Sequence, residues 1–98
     1  MELTVTVKRV KRGNARIGNG KLAVTIPQWA IDRSEYCATY YICHEMAHIT
    51  HWLLFGGWSH NATFKAIEAM YCADFGIVIE YKKAYPKALV VFGIRQDY

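Results

Sequence analysis

One segment of the chain carries residue types that can act together on a bond: Tyr41-Ile42-Cys43-His44-Glu45-Met46-Ala47-His48. Its last five residues read His-Glu-x-x-His. On a helix, residues i and i+4 sit about 40° apart around the axis and one turn along it. His44 and His48 therefore project side by side, and two imidazoles so placed can hold one Zn²⁺ at about 2.0–2.1 Å. Glu45 follows the first imidazole, so it lies beside such an ion and not on it. There it can take a proton from a metal-bound water. The chemistry is metal-assisted hydrolysis.

A catalytic zinc keeps three protein ligands and leaves a position open. Three residues compete for the third place. His51 shares the face of His44 and His48 but lies nearly another turn along, far from an ion chelated by the first pair. Glu68 stands twenty residues after His48, in a second helical stretch. His60 follows Gly56-Gly57, where a chain that doubles back would bring its next helix against the first. The reversal favours His60 and leaves Glu68 as the competitor.

The elements that must hold these residues can be read along the chain. Residues 3–10 and 15–17 read as strands. Asn19-Gly20 supplies the positive φ angles of a tight hairpin, and Lys21 to Ile26 is the return strand, ended by Pro27. Asp32 and Glu35 form a capping-box-like pair before a helix over 33–55, which Gly56-Gly57 stops. Ser59 or Asn61 can cap a second helix with Phe64, Ile67 and Tyr71 on its apolar face, ending at Asp74-Phe75-Gly76. Ile77 to Tyr81 and Leu89 to Phe92 read as strands. The order β-β-β-α-α-β-β predicts one α+β domain over 1–98, a small, mostly antiparallel sheet packed on two helices.

Composition sets the bounds. At 98 residues, 53% hydrophobic and 20% charged, the chain is a single globular domain and not a disordered one. No apolar run approaches the roughly 18 residues of a membrane span. The start, MELTVTVKRVKRG, has no apolar signal region, so cytoplasmic residence is the default expectation. Three Cys cannot all pair, and reduced, buried thiols are expected. The formal charge of +4 gathers near the N-terminus in Lys8, Arg9, Lys11, Arg12, Arg16 and Lys21. Lys82, Lys83, Lys87 and Arg95 repeat it near the C-terminus. A basic stripe of this kind can attract phosphate, which makes nucleic acid a possible partner beside a protein or peptide substrate.

His44-Glu45-Met46-Ala47-His48, followed by Trp58-Ser59-His60-Asn61-Ala62-Thr63-Phe64, resembles the SprT-like and WLM-type zincin peptidases. Their pattern is HExxH, a short connection, then a His near the start of a second helix with an aromatic residue four places later. Here His60 and Phe64 fill those two places. The resemblance covers roughly residues 34–76. It implies a zincin-like fold and a minimal, stand-alone zinc metalloendopeptidase of the kind found in small bacterial or phage proteins. It implies His44, His48 and His60 as zinc ligands and Glu45 as general base. Asn61 stands where many such proteins have Gly, and no Cys-rich zinc ribbon follows residue 76.

Further roles are open at this level. Tyr81, Tyr85, Arg95 and His51 are candidate donors to the oxyanion of a tetrahedral intermediate. Lys21 to Ile26 is the expected edge strand for an extended substrate, by analogy with other zincins. Asp74 could orient a ligand imidazole, although a helix-end carboxylate is the plainer reading. Trp29, Trp52 and Trp58 are expected in the core. Two alternatives to a general peptidase are a DNA-associated protein, including a protease of DNA–protein crosslinks as in some SprT-like relatives, and a repressor-cleaving regulator similar to ImmA/IrrE.

Overall fold

Asn19 and Gly20 both adopt positive φ, 51° and 70°, as a two-residue hairpin turn matched to strand twist requires. In the computed structural model, which describes residues 2–80, 88–91 and 94–97, they join β2 (Asn14–Gly18) to β3 (Lys21–Pro27). The pair is antiparallel, with Gly18 opposite Lys21 and Ala15 opposite Val24. β1 (Glu2–Lys8) lies along the other side of β3 and runs parallel to it, Val5 opposite Val24. The strand order is β1-β3-β2. Two expectations are corrected here. This sheet is mixed, and β3 is its central strand and not its edge. The physical reason is burial. Val24 to Pro27 are all buried, so β3 gains most from neighbours on both sides, whereas β1 is exposed along its whole length.

Pro27 sits at the last position of β3, where a missing N–H costs the ladder little, and leads directly into a helix. α1 (Gln28–Arg33) is a six-residue helix that the sequence did not lead us to expect. The expected Asp32–Glu35 cap is not what starts the long helix. Ser34 stands between α1 and α2 (Glu35–Phe55) in extended backbone, and its hydroxyl accepts the Cys37 N–H at 3.0 Å. Asp32 instead accepts from the Gln28 side-chain amide one turn earlier, at 2.9 Å.

Gly56 closes α2 in the left-handed region, φ 72°, donating its N–H to the Trp52 carbonyl at 2.8 Å. This is where glycine avoids a Cβ penalty. Asn61, not Ser59, caps α3 (Ala62–Asp74), accepting the Phe64 N–H at 3.0 Å. A second, antiparallel sheet of order β4-β5-β6 follows: β4 (Ile77–Glu80), β5 (Ala88–Val91) and β6 (Ile94–Asp97). Two of these strands fall where the sequence placed them, and Tyr81 and Phe92 lie outside the described residues. The separate sheet and β6 were not foreseen.

Two apolar clusters fix α2. On one side Val24, Ile26, Ala30, Cys37, Tyr41 and Ile49 join it to β3 and α1. On the other, Tyr40, Cys43, Cys72 and Ile77 join it to α3 and β4. The three cysteines are free and buried, as expected. Among the described residues no helix is long and apolar enough to cross a membrane.

Candidate metal centre

α2 is wedged between the two clusters, so its remaining face is set by what they leave over. Tyr41, Cys43, Ala47 and Ile49 are buried in packing. That turns His44 and His48 toward the gap between α2 and the start of α3, where Asn61 caps α3 immediately after His60. The three imidazoles meet there. One ring nitrogen from each lies within 4.8 Å of the other two. The Nε2 atoms of His48 and His60 are 3.0 Å apart. Two ligand nitrogens around a tetrahedral zinc would be about 3.3 Å apart, given bonds of about 2.0–2.1 Å.

Phe64 forms the floor. It is fully buried, and its ring centroid lies 5.2 Å from that of His44, 4.4 Å from His48 and 4.9 Å from His60. An apolar floor disfavours the charged imidazolium. The His48 pKa is accordingly held down to about 4, first by burial and then by the neighbouring His44 and His60. A neutral imidazole keeps the lone pair a metal needs.

Glu68 takes neither a ligand position nor the surface. It is fully buried on α3, and its Oε2 meets Nδ1 of His44. The Tyr40 hydroxyl donates to the same oxygen at 3.2 Å. An ionised carboxylate only accepts, so with Glu68 ionised Nδ1 of His44 is the donor and Nε2 is the ring nitrogen left for a metal. This carboxylate–imidazole arrangement is the usual support of a metal-bound histidine. Asp74, the residue considered for that task, lies exposed at the end of α3.

His51 also stands apart. It is buried beneath the Gly56-Gly57 reversal, its Nδ1 without a partner among the described residues. A Cβ on Gly57 would come within 3.0 Å of its Cε1. The second glycine therefore makes room for His51, while the first supplies the left-handed turn.

Glu45 is 4% exposed, and burial raises its carboxyl pKa, opposed by His44 and supported by Glu68. It opens into a cleft of about 770 Å³ that also takes in His44, His48, His60 and Trp58. Its lining also takes in the β1–β2 connection, Lys11 to Gly13, continued by Asn14 and Ala15 of β2.

The tryptophans are not core residues. Trp29, Trp52 and Trp58 are 38%, 40% and 41% exposed. Trp52 and Trp58 stack on each other at 5.5 Å, and the Trp29 and Tyr41 rings meet edge-on at 5.7 Å. Of the oxyanion candidates, Tyr81 and Tyr85 lie outside the described residues, as does the Arg95 side chain, and His51 faces the reversal. The sequence reading missed Tyr40, Tyr41 and the supporting place of Glu68. One signal was present: Phe64, Glu68 and Cys72 recur every four residues, which places Glu68 on the packed face of α3. No family model, curated protein or solved structure matches the chain.

Proposed function

We propose that the chain is a zinc-dependent peptidase of the SprT-like and WLM-type zincin class, with His44, His48 and His60 holding the metal and Glu45 acting as general base. The observation that carries this reading is the convergence of three imidazole nitrogens beside a buried carboxylate, in one open cleft. The donor set suits the ion. Three neutral imidazoles are a known catalytic zinc set, and Glu68 fixes the His44 tautomer that presents Nε2. When bound, zinc would acidify a water and polarise the scissile carbonyl.

The remaining work falls to the chain. Glu45 takes the proton of the attacking water and passes it to the leaving amide nitrogen. Burial shifts its carboxyl toward neutral pH, the direction that suits a group which must both accept and return a proton. Phe64 keeps the site dry on one side.

The strand available to an extended peptide is β2, which replaces β3 in that role. In the hairpin, Gly18 and Lys21 form the closing hydrogen-bonded pair, so alternate residues turn outward. Ala15 and Ile17 thus direct their N–H and C=O groups to the free edge, and Ala15 borders the cleft. A substrate can add there as a further strand.

The test is metal analysis together with peptide hydrolysis. Wild type should hold one zinc per chain and cleave peptides, and Glu45→Gln should keep the zinc and lose hydrolysis. A Glu45→Gln variant that cleaves at the wild-type rate would sink the mechanism.

A further inference from the structure

The connection between β1 and β2 is basic, and it is held firmly in place. The Trp29 indole N–H donates to the Lys11 carbonyl at 3.0 Å. The Gly13 N–H donates to the Tyr41 hydroxyl at 3.3 Å. Gly13 lies so close that a Cβ there would stand 2.3 Å from the Thr25 carbonyl oxygen and 2.7 Å from the Tyr41 ring. Tyr41 belongs to α2, the helix of His44 and His48, and Trp29 to α1, and both residues line the cleft, so the loop is tied to the site's surroundings.

Lys11 and Arg12 line the same cleft as His44, Glu45, His48 and His60. Lys11 and Arg9 also line an adjoining hollow of about 360 Å³. Asp32, the carboxylate of that hollow, is engaged by the Gln28 amide. No carboxylate among the described residues pairs with Arg9, Lys11 or Arg12. The cleft is thus lined by two exposed cations, Lys11 and Arg12, and by the buried Glu45 carboxyl.

That division of charge discriminates between anions. A nucleic acid carries a phosphate at every step, and one of them would fall against Glu45. A peptide carries charge only where its side chains do. A neutral backbone can lie over Glu45 while an acidic side chain nearby reaches Lys11 or Arg12. Ala15, with its outward backbone groups, follows these two residues by only a few positions and would carry that peptide along β2. Charge-assisted hydrogen bonds from Lys or Arg to a carboxylate are among the stronger polar contacts.

Resting on the peptidase reading, we infer that the β1–β2 loop determines specificity, with Lys11 and Arg12 receiving acidic side chains of the substrate peptide close to the cleaved bond. The experiment measures binding apart from cleavage. Dye-labelled ten-residue peptides carrying two Glu, or two Gln at the same places, are titrated by fluorescence polarisation into zinc-loaded Glu45→Gln protein. The Glu peptide should bind about tenfold tighter than its Gln counterpart, a difference of the size one good charged contact produces. Lys11→Gln/Arg12→Gln should erase that preference.

Lys11→Glu/Arg12→Glu should instead prefer a peptide with two Lys, a gain that misfolding cannot produce. Equal binding of the Glu and Gln peptides, an unchanged preference in either double variant, or absence of binding by any peptide would overturn the inference. So would a single-stranded oligonucleotide of equal length that binds the wild-type protein, its Glu45 carboxylate intact, more tightly than the Glu peptide binds the Glu45→Gln protein, since the loop would then read phosphate. Loss of the peptidase reading has a different mark: wild type cleaves no peptide, whichever peptide binds.

Discussion

The carboxylate of Glu68, with no exposed surface, accepts Nδ1 of His44 across the α2–α3 interface. One residue thereby joins the packing of two helices to the orientation of a ring at the candidate metal centre. Glu68→Gln preserves the shape but presents an amide that is a weaker acceptor and can turn an N–H toward the ring. Zinc affinity should fall about 10–100-fold, the usual cost of losing such support. Competition against a chelating dye measures it. Tyr40→Phe removes only a donor to the same oxygen and should cost less. Equal zinc affinity for Glu68→Gln and wild type would show that the contact packs the helices and does not prepare His44.

His60 lies in the imidazole trio and His51 beneath the Gly56-Gly57 reversal, and the two placements predict different losses. His60→Ala should lose zinc, because its Nε2 faces that of His48. His51→Ala should keep zinc and lose stability instead, by about 2–4 kcal/mol, since it empties a buried site beneath Gly57. Metal content and a denaturant melt on the same two proteins decide it. Zinc lost from His51→Ala and kept by His60→Ala would reverse the assignment.

How far the sequence reached depended on how local each signal was. The stop of α2 at Gly56 and the Asn19-Gly20 turn are written in runs of a few residues and were legible, as was the α3 cap to within Ser59 or Asn61. So was the convergence of His44, His48 and His60, because i, i+4 spacing and a Gly-Gly reversal are short-range geometry. The pairing of β1 with β3 was not, because it skips the strand between them, and neighbouring strands in sequence usually read as a meander. Ser34 was overlooked because Asp32 and Glu35 read as a capping pair, when Asp32 belongs to the short α1 before it. The Glu68 contact needed the crossing of α2 on α3, which no window of residues contains.

Gly13 gives a prediction about the loop framework. A Cβ there collides with backbone, the Thr25 carbonyl, which cannot rotate away as a side chain can. Gly13→Ala should therefore cost about 1–3 kcal/mol, in the range of an overpacked core, and should displace the Lys11–Arg12 wall. Gly18→Ala is the control, because nothing stands within 4 Å of its Cβ. Denaturant melts of the two variants should differ by most of that amount. Equal melts would mean that the Tyr41–Gly13 contact yields without cost.

The outward-facing backbone of Ala15 can be tested by a residue that removes its N–H. Ala15 pairs with Val24 in the non-hydrogen-bonded register, so the ladder to β3 does not use that N–H. Edge strands tolerate proline where the missing donor faces outward. Ala15→Pro should leave β2 and β3 paired and melt within about 1–2 kcal/mol of wild type, the small cost reflecting the fixed φ of the ring. Arg16→Pro removes a donor that β3 does use and should destabilise the sheet by about 3 kcal/mol or more. If peptides bind by strand addition at β2, Ala15→Pro should lower kcat/KM by about tenfold, the loss of one backbone hydrogen bond to a bound chain. Zinc content should be unchanged, because Ala15 touches none of the three imidazoles. Ala15→Pro protein that is folded, zinc-loaded and fully active would place the substrate elsewhere than along β2.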